Sequence, residues 1–231
     1  MSSQLPEPFP EPQIERVSLR KMWVNILSIL NLERGMFYTI WQLILAPGTA
    51  MQRYLFLDRS RFIEPLKFLV IAVAFFLFMA INYFPNSNWF DVDQEASFSN
   101  GSESYSKVTV FLQQYANLVM LFSVPIAAWI SWRLFRKYRL NYGEHLVLNA
   151  FLYGFLTFVS ILMLPLSLGS ASTYSNSILA VFCIYSIYFF QSLFSMPWGK
   201  AIGYGLLFNV LNLLGSVIFL ALVMVVLMVF F

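Results

Sequence analysis

Apolar residues first recur at three- and four-residue steps, then fuse into five long runs, the pattern of amphipathic helices followed by membrane-spanning ones. Met22, Trp23, Ile26, Leu27 and Leu30 form one apolar face behind Arg20 and Lys21, and residues 31–35 break it. Phe37, Ile40, Trp41, Ile44 and Leu45 repeat the pattern until Pro47-Gly48 ends it. A third piece, 50–57, carries Met51, Tyr54 and Leu55 into the basic turn Asp58-Arg59-Ser60-Arg61. These pieces are too interrupted to span and predict helices lying on the membrane surface. Spans are predicted at 65–84, 108–135, 144–168, 177–194 and 201–231. At a rise of about 1.5 Å per residue, about twenty residues cross a hydrocarbon core of about 30 Å. The expected fold is all-α: a polytopic transmembrane helical bundle over 63–231, interfacial helices over 16–62 and a disordered cytoplasmic tail over 1–15.

The tail MSSQLPEPFPEPQIE is acidic and rich in proline, without the basic start and apolar stretch of a cleaved secretion signal. The first span is therefore expected to act as an uncleaved anchor. Residues 85–107 form a polar loop with Asp91, Asp93, Glu95 and Glu103, and Asn100-Gly101-Ser102 is a glycosylation acceptor only in a eukaryotic cell. Pro125 kinks the second span unless a neighbour satisfies the carbonyl it frees. Residues 169–176 and Met196-Pro197-Trp198-Gly199-Lys200 are short turns, and the last span ends in nearly pure hydrocarbon.

Composition changes the solvent. The chain is 59% hydrophobic and 11% charged with a mean hydropathy of +0.70, against about half and about a quarter in a soluble domain. The 19% aromatic share suits contact with lipid tails and headgroup belts. The net charge of +3 comes from residues beside the spans, where anionic lipid is a nearer partner than nucleic acid, which is not expected to bind. Eight Lys and Arg precede Phe68, four lie between the second and third spans, and Lys200 precedes the fifth, with Lys107 alone on the other side. Basic loops resist translocation, so the N-terminus is expected inside and the C-terminus outside. The single Cys183 allows no disulfide within the chain, no cysteine-based zinc site and no redox pair.

Candidate chemistry is sparse. Gly205, Asn209, Asn212 and Ser216 share a face of the fifth span, either to pack helices or to line a substrate path or lipid groove; packing is the favoured reading. A cavity lined by Asn209 and Asn212 would favour transport or lipid handling, and a dry helix contact would count against it. Glu144, His145 and Asn149 at the mouth of the third span form a second polar cluster, an acid and base or a metal pair. Glu144 and His145 point about 100° apart on a helix, so a structural role is favoured, with Glu144 paired to Arg133, Arg136, Arg59 or Arg61. Arg53, Arg59, Arg61, Lys67, Arg136, Lys137 and Arg139 satisfy the positive-inside rule and suit phosphate headgroups. Tyr185, Tyr188 and Ser192, with Gln191 adjacent, are expected to bond neighbouring helices. No phosphate loop, serine elbow or paired metal motif is present, so no catalytic, cofactor or metal residues are assigned.

The stretch from Glu33-Arg34-Gly35-Met36-Phe37-Tyr38-Thr39 through Ala46-Pro47-Gly48, Arg53-Tyr54-Leu55 and Arg59-Ser60-Arg61-Phe62-Ile63-Glu64-Pro65-Leu66 resembles the bacterial membrane family DUF3667. Asn141-Tyr142-Gly143-Glu144-His145-Leu146 looks like its second signature, and the resemblance covers roughly 16–155. Many relatives begin with a cysteine-rich zinc ribbon that this chain lacks, and Ala46 stands where they often place arginine. The resemblance implies an inner-membrane protein of unknown role and adds no reaction. The expected role is a non-catalytic scaffold or accessory subunit with membrane subunits or itself as partners. The alternatives are a small transporter or lipid-handling protein, and an enzyme centred on Glu144 and His145.

Overall fold

A computed structural model describes residues 35–84 and 121–230 of the chain. The expected tail, the first interfacial piece around Met22 to Leu30, the polar loop 85–107 and the opening of the second span, 108–120, lie outside the described residues. Within them, regular structure is helical throughout.

The chain enters as two short helices set at a corner, α1 (Phe37–Leu45) and α2 (Pro47–Phe56). Pro47 makes the corner. Lacking an N–H, it cannot continue α1 but suits the first position of α2, and Ala46 before it leaves the helical region at φ −152° and ψ 69°. Pro65 opens α3 (Pro65–Tyr83) in the same way. Then come α4 (Leu121–Leu134), α5 (Tyr142–Met163, continued by the 3-10 turn Leu164–Leu168), α6 (Ala171–Phe194) and α7 (Trp198–Phe230). Four helices are long and apolar enough to cross a membrane: α3, α5 with its extension, α6 and α7. The described part of the second span, α4, is a shorter apolar helix that runs through Pro125.

Three span starts differ from expectation. The fifth span begins at Trp198 rather than 201, so Trp198, Gly199 and Lys200 of the expected turn are helical. The fourth span begins at Ala171 rather than 177, because the Ser170 hydroxyl accepts the Thr173 N–H at 3.5 Å and caps the helix. The third begins at Tyr142, set by an Asn141–Glu144 capping box.

Helix α5 sits at the centre, with 61% of its spanning window buried against 11% for α7. Its Phe151 and Phe158 rings lie 5.7 and 5.4 Å from Phe68 of α3. The α1–α2 corner docks on the last turns of α6. Tyr185 donates its hydroxyl to Leu43 O at 2.9 Å and Tyr188 to Leu45 O at 3.1 Å. The Gly48 N–H donates to Ser192 Oγ at 3.0 Å, and Gln52 Nε2 to Leu193 O at 3.0 Å. These hydroxyls bond a neighbouring helix as expected, whereas Gln191 turns back to Met196 O. The surface-helix picture needs correction on one face. Leu43, Gly48, Met51 and Tyr54 are buried in the bundle, while Phe37, Trp41, Ile44 and Leu45 stay exposed. The corner thus carries one apolar face inward and another outward.

Candidate functional site

The described basic residues gather at the end of the bundle that holds the α1–α2 corner, but they are not equivalent. Arg59 is committed to the fold: Nε donates to Tyr54 O at 3.0 Å, Nη2 to Leu55 O at 3.4 Å, and the guanidinium lies 5.5 Å over the Tyr54 ring. It closes the carbonyl end of α2, where a cation also meets the negative end of the helix dipole. In the same turn the Ser60 N–H donates to Asp58 Oδ1 at 2.9 Å and holds that carboxyl below its ordinary range, and burial pushes the Tyr54 phenol up. Lys67 pairs with Glu64 at 3.0 Å. Lys137 sits 4.9 and 4.7 Å from the Tyr138 and Tyr204 ring centres, and Arg133 lies over Trp129 and Trp132. Arg53, Arg61, Arg136 and Arg139 are exposed, with no side-chain hydrogen bond among the described residues.

Glu144 and His145 do not share a site. Glu144 Oε2 accepts the Asn141 N–H at 2.7 Å while Asn141 Oδ1 accepts the Glu144 N–H at 2.8 Å, so the carboxylate serves the cap. No arginine pairs with it among the described residues. The Asn-x-x-Glu signal for that box stands in the sequence and was not used.

His145 turns the other way, fully buried, with Nδ1 3.0 Å from Ser131 Oγ on α4. Asn149 donates to Ser131 Oγ at 2.8 Å and to His145 O at 2.7 Å. Ser131 is the member that sequence reasoning missed, since only the fold brings α4 beside α5. His145 Nε2 and Asn149 Oδ1 have no partner, yet all three side chains are sealed from solvent. That arrangement joins two helices and offers no route for a substrate.

The polar stripe of α7 divides in two. At Gly205 the reading is packing, because an added Cβ would overlap the Ile187 side chain on α6. Asn209 belongs partly to this contact: Nδ2 donates to Ser186 Oγ at 2.9 Å and to Gly205 O at 2.8 Å. Asn209, Asn212 and Ser216 also face a cavity of about 690 Å³, the size range of pockets for small organic ligands. Its inner wall includes Tyr153 and Thr157 of α5, both buried, and Asn212 donates Nδ2 to the Tyr153 hydroxyl at 2.6 Å. Its rim includes Leu179 of α6 and Leu206, Val210 and Leu213 of α7, all exposed. The cavity is therefore a groove open on the α6–α7 face. Most of its described lining is apolar, and none of the described lining residues carries a charge. Tyr153, Thr157 and Ser160 stand four and three residues apart, a helical face legible in the sequence but unread.

Comparison with known proteins adds one finding. Residues 33–81 match the family described as Protein of unknown function (DUF3667). No curated protein and no solved structure matches the chain. The DUF3667 segment comprises α1, α2, the basic turn and nearly all of α3, and it ends well before the Asn141–Leu146 signature. Several residues of this segment act in packing. Thr39 Oγ1 donates to Gly35 O at 2.6 Å and accepts the Ile63 N–H at 3.2 Å, Gly48 meets α6, and Arg59 closes α2. The DUF3667 segment thus builds the docked corner, while the cavity is lined mainly by α5, α6 and α7.

Proposed function

We propose that this multi-pass membrane protein binds an amphiphilic lipid in the groove between its spans and acts in lipid handling. The observation that carries the reading is the cavity of about 690 Å³, whose described lining is uncharged and mostly apolar, with Asn212 and Tyr153 on one wall. An empty apolar space forfeits dispersion contacts, and in a bilayer hydrocarbon chains stand ready to fill it. A charged solute would meet no counter-charge among the described lining residues. On the positive-inside orientation, with a bacterial inner membrane as the setting and the N-terminus cytoplasmic, the groove faces the outer leaflet. Asn212 lies about 21 Å along α7 from Trp198, at about 1.5 Å per residue, and so away from the basic end.

A scaffold or accessory-subunit role is the second reading, supported by the bareness of α7, only 11% buried over its spanning window. The acid–base pair of an enzyme reading has no common site, with Glu144 in a cap and His145 sealed. Exposed Arg53, Arg61, Arg136 and Arg139 remain suited to anionic headgroups at the surface, as an anchor rather than the bound cargo.

Gentle purification from the native membrane, followed by mass spectrometry of what stays bound, tests the proposal. The wild-type chain is expected to retain a lipid that Val210→Trp combined with Ser216→Trp loses at unchanged thermal stability. Equal retention by both proteins contradicts the groove as the site, and a stoichiometric protein partner without lipid favours the accessory role.

A further inference from the structure

We infer that Arg133 and the rings around it hold the phosphate of an anionic phospholipid at the basic end of the bundle, at a site separate from the groove. Other cations of that end are spent on the protein. Arg59 gives its guanidinium to the carbonyls that close α2, and Lys67 pairs with Glu64. Arg133 is different. It is exposed at the end of α4, and its guanidinium carbon lies 5.5 Å from the Trp129 ring centre and 5.3 Å from that of Trp132. Among the described residues no carboxylate or carbonyl accepts from it, and Glu144, at the start of α5, serves the Asn141 cap instead. Tyr142 of α5 adds a third ring, 6.4 Å from Trp132, and its hydroxyl donates to Pro125 O at 3.3 Å. None of these residues lines the groove.

The face of α4 that carries Arg133 is otherwise apolar. Phe122, Pro125, Trp129 and Arg133 recur at three- and four-residue steps and are all exposed, and Leu146 is exposed one turn along α5 from Tyr142. Apolar residues, then indoles, then a cation follow the order of chain, interface and headgroup in one leaflet. A guanidinium offers a planar fork of donors and no acceptor, and phosphate oxygens are its complement. The two indole faces take the place of part of its water, and a drier cation bonds an incoming anion more strongly. A choline ammonium seeks the same ring faces but meets a cation already there, so a choline head is disfavoured against one of net negative charge. Free phosphate would use the guanidinium and leave the apolar face bare, whereas a phospholipid uses both.

The test titrates the full-length protein, purified in mild detergent and stripped of lipid, with dioleoyl phosphatidylglycerol and with dioleoyl phosphatidylcholine. Native mass spectrometry reads the bound fraction of each. The wild type is expected to prefer the glycerol lipid. Arg133→Gln is expected to lower that preference about fivefold, the order of one cation beside an anionic headgroup, and Arg61→Gln by less than about twofold. Arg133 bonds no other described part of the fold, so its replacement reads the headgroup alone. No preference in the wild type, an undiminished preference in Arg133→Gln, or an equal loss in Arg61→Gln overturns the inference. Inorganic phosphate added at constant ionic strength is expected to leave the wild-type preference unchanged; a preference that it abolishes makes this a site for free phosphate and overturns the lipid assignment.

Discussion

Replacing Gly48 with alanine is expected to undock the α1–α2 corner from α6 and to cost about 3 kcal/mol or more, at or above the upper end of overpacking penalties. A Cβ at residue 48 would overlap the backbone carbonyl of Ser192, and a helix backbone cannot yield as a flexible side chain can. Moving the corner away to relieve the clash also breaks the bonds from the Gly48 N–H, Gln52, Tyr185 and Tyr188, which are made at the same contact. Gly199→Ala and Gly203→Ala serve as controls, since nothing lies within 4 Å of a Cβ at either position. Alanine is the better helix former by roughly 1 kcal/mol, so the controls should be neutral or slightly stabilising. Unfolding by denaturing detergent measures all three; a Gly48→Ala protein as stable as Gly203→Ala would show that the corner is not tightly docked.

The second large effect is expected at Phe135, where α4 ends. Its ring is fully buried, with centroids 4.6 Å from Phe190, 4.7 Å from Phe194 and 5.7 Å from Tyr204, so one side chain joins α4, α6 and α7. Phe135→Ala removes the centre of that cluster and is expected to cost about 3–5 kcal/mol, as for other buried phenylalanines cut to alanine. Phe122→Ala is the comparison: the ring is 60% exposed and should change stability by less than about 1 kcal/mol. Similar losses in the two variants would contradict the central place given to Phe135.

Much of the architecture was legible because a bilayer imposes long apolar runs and sorts charge by side. The helices α3, α5, α6 and α7 follow from those rules, and the bonding of Tyr185, Tyr188 and Ser192 follows from the cost of a lone hydroxyl among apolar groups. The docking of α2 was not legible. Met51 and Tyr54 read as a lipid-facing stripe, and apolar periodicity alone does not say whether lipid or protein covers it. Ser131 escaped notice because its partners belong to another helix, and pattern along a chain says nothing about which helices meet.

The candidate site shows the same division. Helical spacing placed Asn209, Asn212 and Ser216 on one face of α7, yet packing and lining stand side by side on it. What separates them is the distance to α5 and α6. Near Gly205 the helices approach so closely that a single carbon would not fit, whereas beside Asn212 they leave room for a ligand. An interhelical gap is a property of several chain segments at once, so no one segment encodes it.

The most direct test of the groove is a high-resolution map of the full-length protein in lipid nanodiscs made from its native membrane. Elongated density is expected between α5, α6 and α7, with one end beside Asn212 and Tyr153 and the other leaving past Leu179 and Val210. A groove closed by Leu206 and Val210 packed onto Tyr153, or filled with ordered water alone, would contradict the account.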